Sequence, residues 1–474
     1  MSEFRTRIEE YLSSSDHLSR RHIHPRLLKM FELGGMSVAF TRADGPYLYD
    51  KDGNRWLDFL AGGGVYYLGR NHPRIHQALI DVLSMNLPNL GVGSASALGG
   101  LLAGKLIEHA GPHFSKVVFA NAGSEATEVA LRFARQVTRR RRFLFVEGAF
   151  HGRSYGAISV CGFSQMRTNI EPAMPVCTPI PPNDIDRLRQ ELRYGDVAAF
   201  IFEPVQGMTC KVLDPDYLRE AEALCRQHGT LLIADEVQTG LGRCGSWFAT
   251  TGMGVHPDIM TVSKTLSGGQ APVGAVLISH EVHERVYGSS SSELVYFSTF
   301  AENNLAMAAG LATIQVLEEM DAPNLAATKG KLLRDGLDEI LGRYDCVDRI
   351  EGAGLMQTMY FRDSANVSLG TQQKAMKAFD SSAFAASIHV DLFSRQRVVA
   401  QLPGPGLDAI KVLPPLISSD EDITFFLNGL DDSLAELYAR RGPLFALGQG
   451  VAKNTVGKAL APWMSRWTGE GAEN

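Results

Sequence analysis

The sequence lacks the patterns that would assign it to several common classes of protein. Its six cysteines never form a C-x-x-C pair, so neither a zinc site nor a thioredoxin-type motif is indicated. Scattered single thiols in a chain of 474 residues are typical of a reducing compartment. The polar start has no apolar signal core, and no apolar run is long enough to cross a bilayer. These observations predict a cytoplasmic protein with no membrane span and no metal site.

Positive charge is also not in excess. The chain has 52 acidic and 46 basic residues, and its net charge of −6 argues against a general nucleic-acid-binding protein. The one basic run, from Arg139 to Arg142, follows a helical pattern and is interpreted as cations at a helix C-terminus. No G-x-G-x-x-G follows the first strand, which disfavours a nucleotide-binding dehydrogenase.

The chain does contain two short apolar runs that each end on a polar residue. Residues 231–233 lead into Asp235, and residues 259–262 lead into Lys264. Such runs are typical of buried strands in a parallel sheet, and ligands bind at the carboxyl ends of such strands. One interpretation of the pair is a structural ion pair. The other is pyridoxal 5'-phosphate (PLP) chemistry, in which a lysine links to the cofactor and a carboxylate keeps its pyridine nitrogen protonated.

Other strand ends supply the remaining parts of a PLP site. Gly123-Ser124 opens a helix, and the free N–H groups of a helix N-terminus bind phosphate. Phe150-His151 places a flat ring where it could stack on an aromatic cofactor. Glu203 can hold a neighbouring glycine, and Gln238 can reach the phenolic oxygen of the ring. Each feature alone has an ordinary explanation, such as a helix cap or a core phenylalanine, but their recurrence at successive strand ends favours a site.

These motifs resemble those of the class III (ω-) aminotransferases of PLP fold type I. The resemblance runs from about Val38 to Leu437. It implies that Lys264 carries the cofactor, that Asp235 pairs with the pyridine nitrogen and that Thr299 reaches the phosphate in the partner subunit, so a homodimer is expected. The other implied cofactor-binding residues are Gly123, Ser124, Phe150, His151, Glu203 and Gln238. The matching stretches are residues 121–126, 150–152, 203–207, 235–240, 263–264 and 298–300.

The departures from the family pattern concern the substrate. Met208 stands where the family usually has an acid, and Lys411 stands where it has an arginine. In ornithine-type members those two residues form a gate that binds or hides a substrate carboxylate. Tyr66 lies in a glycine-rich segment that could be a packing corner or a pocket wall, and it is the third candidate substrate residue. Near Thr299 the usual glycine pair is replaced by Ala301-Glu302, so altered loop geometry is expected.

The departures favour an aminotransferase for amines or aldehydes with apolar chains, close in appearance to the putrescine and other diamine or aldehyde aminotransferases. An ω-amino acid aminotransferase acting on ornithine, acetylornithine or 4-aminobutyrate is the alternative within that activity. Another PLP reaction, such as that of an aminomutase, racemase or decarboxylase, and a catalytically silent protein of the same fold also remain open.

The alternation of strands and helices predicts an α/β fold with a mostly parallel, seven-stranded type of sheet in the large domain. A smaller α+β domain is expected to draw on both termini. The expected divisions are an N-terminal arm and small-domain or dimer segment at 1–74, a PLP-binding domain at 75–330, a small domain at 331–440 and a tail at 441–474. The expected local features are an amphipathic arm up to residue 45, a hairpin at 47–58, an antiparallel edge strand at 274–278, an exposed excursion at 362–381 and a strand pair around 403–406.

Overall fold

The computed structural model describes residues 3–12, 15–23, 29, 36, 38–89, 95–168, 170, 176–288, 296–378 and 380–439. The tail expected at 441–474 lies outside these residues, as do several apolar positions of the expected arm, among them Leu27 and Phe31. In the described part of the chain no helix is long and apolar enough to span a membrane. Nor does any group of three or more His, Cys, Asp and Glu side chains there form a potential metal site.

The strands form three sheets, of four, seven and three strands. Short apolar segments bounded by turns, as expected for buried strands, account for most of them. They are β1 (Phe40–Asp44), β2 (Tyr47–Asp50), β3 (Arg55–Asp58), β4 (Phe114–Ala120), β5 (Arg142–Val146), β6 (Cys177–Ile180), β7 (Val197–Phe202), β8 (Leu231–Asp235), β9 (Ile259–Val262), β10 (Gly274–Ser279), β11 (Val347–Ala353), β12 (Met356–Phe361), β13 (Val398–Val399) and β14 (Ala409–Val412).

Helices alternate with these strands and cover the sheets. Several have side-chain caps, including a capping box at the helix Asp420–Tyr438, in which Ser419 and Asp422 bond reciprocally to backbone N–H groups. The α-helices are Glu3–Leu12, Ser15–His22, Ala61–Gly64, Pro73–Ser84, Ala97–Ala110, Gly123–Thr138, Tyr155–Ser159, Ile185–Leu192, Pro215–Gln227, Ala249–Gly252, His280–Tyr287, Asn304–Glu319, Ala322–Arg343, Val367–Lys377, Ala383–Ser394 and Asp420–Tyr438, and short 3₁₀ turns cover Ser164–Met166 and Lys264–Ser267.

The seven-stranded sheet has the order β4-β10-β9-β8-β7-β5-β6 and positions the candidate site. Strands β6, β5, β7, β8 and β9 pair in parallel, whereas β10 is antiparallel to both β4 and β9. The expected α/β fold with a mostly parallel sheet is therefore confirmed. β10 is antiparallel as expected but lies inside the sheet, so its assignment as an edge strand was wrong.

The central strands are buried on both faces. Every residue of β5, β7, β8 and β9 is buried, because helices pack on each side of the sheet. Burying one Val, Leu, Ile or Phe side chain, the types that make up most of these strands, contributes about 1.5–3 kcal/mol to stability. A sheet stabilised in this way holds its strand ends in fixed positions, and those ends carry the polar residues of the site.

The two smaller sheets differ from the sequence expectation in one respect. The hairpin of β2 and β3 around Asp52-Gly53 is present, and β1 and β13 extend it. β13 and β14 flank the Pro403–Gly406 loop but do not pair as strands. Instead β13 joins β3, β14 joins β12, and a single bridge connects Gln401 with Lys411. The expected strand pair is thus split between two sheets, and the loop between its strands reaches the site.

The segment 362–381 is not an exposed excursion. Its helix, Val367–Lys377, begins with an Asn366 cap and buries Leu369, Gln373 and Met376. These three residues form a narrow buried stripe on a helix whose other residues are mostly polar. Within the stripe, Gln373 Oε1 accepts a hydrogen bond from Ser364 N at 2.7 Å. The expectation was wrong because that stripe includes a buried glutamine rather than a third apolar side chain.

Candidate active site

A cavity of about 680 Å³ lies where the carboxyl ends of β5, β7, β8 and β9 meet. Parallel strands bring their carboxyl ends to one edge, which is why residues far apart in the sequence converge here. Most of the residues proposed from the sequence line this cavity: Gly123, Ser124, Phe150, His151, Glu203, Met208, Asp235, Gln238 and Lys264.

Lys264 follows β9 and begins a 3₁₀ turn with an unusual backbone conformation. Its φ is 41°, in the left-handed region that residues other than glycine rarely adopt. Such strain is found mainly where surrounding structure holds a functional group in place. Burial, reinforced by the positive charge of Lys411, lowers the pKa of the Lys264 ammonium from its ordinary 10.5 to about 8. About a tenth of Lys264 is therefore the neutral amine at pH 7, compared with well under a thousandth for an ordinary lysine.

Asp235, at the end of β8, pairs with His151 and not with Lys264. Its Oδ2 lies 2.7 Å from His151 Nδ1, and its Oδ1 accepts a hydrogen bond from Val237 N at 3.0 Å. Burial alone would lower the pKa of His151, but the hydrogen bond and charge of Asp235 outweigh it and raise the pKa. Lys264 and Asp235 face one cavity without contacting each other in an ion pair, so the structural ion-pair interpretation does not describe them.

Glu203, at the end of β7, joins two loops of the cavity wall. Its carboxylate accepts from Phe150 N at 2.9 Å and from Gly207 N at 2.7 Å, which agrees with the expected bond to a neighbouring glycine. Burial raises the pKa of Glu203 to about 7. The side chain thus fixes the position of the Phe150 backbone relative to the loop that carries Met208.

The N-terminus of the helix Gly123–Thr138 forms another part of the wall. The preceding Ala122 gives it no side-chain cap, so its first N–H groups remain available at the cavity. A Cβ added at Gly123 would lie 3.0 Å from Val237 Cγ1, so a larger residue in this turn would crowd the valine. Free N–H groups and the positive end of the helix dipole fit a phosphate here.

Gln238, in the cavity wall, and Lys411, behind it, form a hydrogen-bonded unit. Gln238 Nε2 donates to Gly63 O at 2.8 Å, and Lys411 Nζ donates to Gln238 Oε1 at 2.7 Å and to Gly207 O. Lys411 is fully buried, and burial lowers the pKa of its ammonium. Both ends of the Gln238 amide are therefore bonded within the protein, and Lys411 lies outside the cavity lining.

Besides Lys411, two of the expected residues lie away from this cavity in the single chain. Thr299 is exposed and lines a separate cavity of about 580 Å³ together with Phe297 and Ser298. Tyr66 stands between the backbone of Gly269 and the guanidinium of Arg70, whose Cζ lies 4.0 Å from the ring centroid. Neither is among the residues lining the larger cavity, so their expected roles stay predictions.

The cavity also contains residues that the sequence reasoning did not single out. Arg153, Asp380 and Gln401 line it, together with the loop Pro403–Gly406. Arg153 follows Phe150-His151-Gly152 directly, so its position two residues beyond a proposed site residue was an available signal. Asp380 and Gln401 come from the small-domain segments, and nothing in their local sequence indicates that they meet the sheet edge.

The residues present fit PLP. The helix N-terminus offers phosphate donors, Phe150 offers a ring, and the Asp235–His151 pair offers a buried anionic partner for a protonated pyridine nitrogen. His151 Nε2 is buried without a hydrogen-bond partner among the described residues, as is common in sites built around a ligand. Lys264, with its strained backbone and lowered pKa, supplies the amine to which the cofactor would be linked.

A PLP-dependent enzyme of fold type I is the class that this sheet and this site define. The chain belongs to the class III aminotransferases, because the family model described as "Aminotransferase class-III" matches residues 32–434. The fold class, the family and the cofactor expected from the sequence are therefore confirmed.

The relatives found by comparison include aminotransferases of different named substrates. The chain is 32% identical over 90% of its length to aminotransferase PigE of Serratia sp., but it spans only about half, 48%, of that relative's length. It is 35% identical to putrescine aminotransferase of Pectobacterium atrosepticum, over 72% of this chain and 76% of the relative. A solved amine transaminase from an uncultivated Pseudomonas species, in a PLP-bound form, superposes with a TM-score of 0.74 at 26% identity, covering 84% of this chain and 94% of that one.

Proposed function

We propose that the protein is a PLP-dependent aminotransferase that moves an amino group between an amine or amino acid and an aldehyde or keto acid. The observation that carries the proposal is the single cavity in which Lys264, of lowered pKa, faces the buried Asp235–His151 pair. When bound, the cofactor supplies an electron sink for the carbon that loses and regains a proton.

Each proposed role follows from the position of the side chain. Lys264 would hold the cofactor covalently, and its Nζ, once released by a substrate amine, would take a proton from one carbon and return it to another. A pKa of about 8 suits both halves of that proton transfer near neutral pH. Asp235 keeps the pyridine nitrogen protonated, and His151 fixes the Asp235 carboxylate through the 2.7 Å hydrogen bond.

The remaining residues of the wall bind and orient the cofactor. Phe150 would cover one face of the ring, and the N–H groups at Gly123 and Ser124 would hold its phosphate. Glu203 fixes the position of the Phe150 backbone by accepting a hydrogen bond of 2.9 Å from Phe150 N. Gln238, whose orientation Lys411 and Gly63 fix, would lie beside the phenolic oxygen of the ring.

The substrate preference is argued from Met208 and Arg153. Met208 makes part of the wall apolar and adaptable, so each methylene of a substrate chain buried there contributes about 0.8 kcal/mol. We therefore propose that amines and aldehydes with apolar chains are handled better than short ω-amino acids. Arg153 is exposed at the cavity and forms no ion pair with the described residues. Its guanidinium is therefore available to bind the carboxylate of a keto acid acceptor through two parallel hydrogen bonds.

The same guanidinium supports the second candidate. An ω-amino acid donor could place its carboxylate on Arg153, which would give an enzyme of the ornithine or 4-aminobutyrate type. The two candidates differ in what the donor presents beyond its amine, an apolar chain or a carboxylate.

We also propose a cytoplasmic homodimer with sites completed across the interface. Thr299 lies beside the exposed rings of Phe297 and Phe300, and Leu83 and Met85 are other large apolar side chains exposed in the single chain. Apolar side chains exposed to this extent mark surfaces that bind another chain. A fully active monomer, found by sedimentation and activity measurements at the same dilution, would contradict the proposed dimer.

The test of the activity separates the candidates. Purified holoenzyme is mixed with a single amine, and the visible absorption of the cofactor is followed before a keto acid is added. An aminotransferase changes the absorption with the amine alone, releases the aldehyde and recovers its spectrum as the keto acid becomes an amino acid. Release of carbon dioxide, or product formation without an acceptor, would indicate a decarboxylase or a mutase instead.

A further inference from the structure

A fully buried arginine lies behind the cavity, outside its lining. Arg243 exposes none of its side chain and forms no ion pair with the described residues. Among those residues its guanidinium donates only to backbone carbonyls: Nη1 to Leu355 O at 3.1 Å and Pro414 O at 3.2 Å, and Nη2 to Gly64 O at 3.3 Å. Burying a cation without a counter-charge is costly. These bonds, together with the Tyr67 ring 4.1 Å from Cζ, offset that cost.

This one side chain connects all three sheets. Arg243 lies in the loop after β8 of the seven-stranded sheet, and Gly64 follows β3 of the four-stranded sheet. Leu355 lies between β11 and β12 and Pro414 follows β14, so both adjoin strands of the three-stranded sheet. Leu355 N also donates to Arg243 O at 3.0 Å, which fixes the arginine backbone as well. The guanidinium therefore helps to hold the three-stranded sheet against the edge that carries the cavity.

The carbonyl of Gly64 has a second donor, on the turn that carries Lys264. Thr265, which directly follows Lys264, is buried, and its Oγ1 donates to Gly64 O at 3.2 Å. The φ of Lys264 is 41°, a conformation that persists only where surrounding structure enforces it. A carbonyl oxygen has two lone pairs and can accept both bonds. Gly64 O is thus a shared contact between Arg243 and the strained turn.

The backbone around this carbonyl does not fix its own direction. Residues 62–64 are all glycines with positive φ, of 62°, 73° and 93°, and glycine has the most permissive backbone. The side chains that bond to this segment therefore decide where its carbonyls point. Gln238 Nε2 holds the middle carbonyl at 2.8 Å, whereas Arg243 and Thr265 share the last one. Of those two donors, Arg243 is the one that is also bonded to the three-stranded sheet.

We propose that Arg243 is a positioning residue for the reaction, which acts through Gly64 O and Thr265 to hold the turn that aims the Lys264 amine into the cavity. The assignment rests on the proposed aminotransferase activity, in which Lys264 links to the cofactor and moves the proton. Proton transfer depends steeply on the placement of the reacting atoms, so a small shift of this turn slows the reaction without weakening substrate binding. Loss of Arg243 should therefore lower kcat and leave the KM for the amine nearly unchanged.

The experiment uses variants that each remove one contact. Arg243→Met keeps the apolar stem and removes the donors, and Thr265→Val keeps the shape of threonine without its hydroxyl. Arg140→Met is the matched control, because Arg140 also donates to three backbone carbonyls but lies outside the cavity lining. Arg243→Met and Thr265→Val should each lower kcat about tenfold or more. Arg140→Met and the conservative Thr265→Ser should stay near the native value.

A second readout does not depend on turnover. In the cofactor-free proteins, saturating PLP and borohydride label Lys264, and the labelling rate is followed against pH, with the modified lysine identified by peptide mass spectrometry. The plateau rate at high pH, where the amine is neutral, reports its orientation, and the midpoint reports its pKa. Thr265→Val changes no charge, so it should lower the plateau about tenfold and leave the midpoint in place.

The arginine variant should change both quantities. The charged groups that face Lys264 are Lys411, Asp235, Glu203 and Arg243. Removing the positive charge of Arg243 should raise the midpoint, because the ammonium form of Lys264 is then less disfavoured. The plateau in Arg243→Met should fall by about the same factor as in Thr265→Val. In the double variant it should fall little further, because both side chains act through one carbonyl.

The opposite results are equally definite. A native-like plateau in Thr265→Val, equal losses in Arg243→Met and Arg140→Met, or losses that multiply in the double variant would overturn the inference and leave the aminotransferase activity standing. If Arg243→Met does not fold, the plateau and kcat of Thr265→Val decide the matter. A native enzyme that transaminates no amine or amino acid would overturn the proposed function, whereas the plateau rates would still show whether Arg243 orients Lys264.

Discussion

Replacing Lys411 with methionine tests whether this buried cation orients Gln238 or binds a substrate carboxylate. The ammonium donates to Gly207 O and to Gln238 Oε1, and it is absent from the cavity lining. We therefore expect Lys411→Met to lower kcat and to leave the KM for a keto acid nearly unchanged. Methionine keeps the apolar stem and removes only the charge and its donors.

The magnitudes follow from what the ammonium contacts. Each hydrogen bond from a charged donor contributes about 1.5–3 kcal/mol, whereas removing a buried ammonium relieves a cost of several kcal/mol. The free energy of unfolding should thus change by no more than about 2 kcal/mol. The catalytic effect comes from Gln238, because its Oε1 loses a donor at a cost of about 1–3 kcal/mol, which corresponds to about a five- to hundredfold loss in kcat.

A pH measurement gives an independent readout. In the cofactor-free protein, the rate at which PLP and borohydride label Lys264 reports the neutral fraction of its amine, with a midpoint expected at about 8. The positive charge of Lys411 is one cause of that lowered pKa, so the midpoint should rise in Lys411→Met. An unchanged midpoint would mean that the two ammonium groups do not interact.

The matched control is Lys329→Met. Lys329 is half-buried and donates to two backbone carbonyls, those of Leu416 and Ser418, but it makes no contact with Gln238. It should leave kcat, KM and the labelling midpoint unchanged. A rise of tenfold or more in the KM for the keto acid in Lys411→Met, with kcat unchanged, would refute the orienting role and make Lys411 a carboxylate-binding residue.

Three further predictions follow from the same site. Lys264→Ala should abolish turnover while the protein still folds. The native cofactor-free protein should gain stability as pH rises from about 8 to 10.5, because its folded state binds fewer protons there, and the variant should lack that gain in thermal unfolding. Asp235→Asn should slow turnover at least about a hundredfold, and near-normal rates would make Asp235 structural. Met208→Glu/Lys411→Arg should shift specificity constants toward ω-amino acids, and unchanged constants would count against the apolar-wall argument.

The convergence of the main site residues could be predicted from the sequence because parallel strands end at one edge. Asp235 and Lys264 each follow an apolar run, and those runs are β8 and β9, neighbours in the sheet. Neither the pairing of Asp235 with His151 nor the position of Lys411 outside the cavity was predictable in this way. Both depend on which side chains of different strands come within about 3 Å, and local pattern carries no information on that distance.

The errors have related causes. β6 went unrecognised because an edge strand of four residues containing Pro179 is too short and too interrupted for a period-two pattern. β10 was assigned to an edge because antiparallel direction alone does not specify neighbours. Asp380 and Gln401 reach the cavity only because the small domain packs over the sheet edge, which is a tertiary property that no local window contains.

Met208 and Lys411 are better understood as one joint change than as two. An arginine at position 411 would bring five N–H donors into the fully buried place that Lys411 occupies, and without an acid at 208 several of them would lack acceptors. Lysine brings three donors, of which Gly207 O and Gln238 Oε1 already satisfy two. Without an acid at 208, this buried position therefore accommodates a lysine better than an arginine. Recognition of a substrate carboxylate in the cavity is then left to Arg153, which is why the proposed substrate preference depends on Arg153 together with Met208.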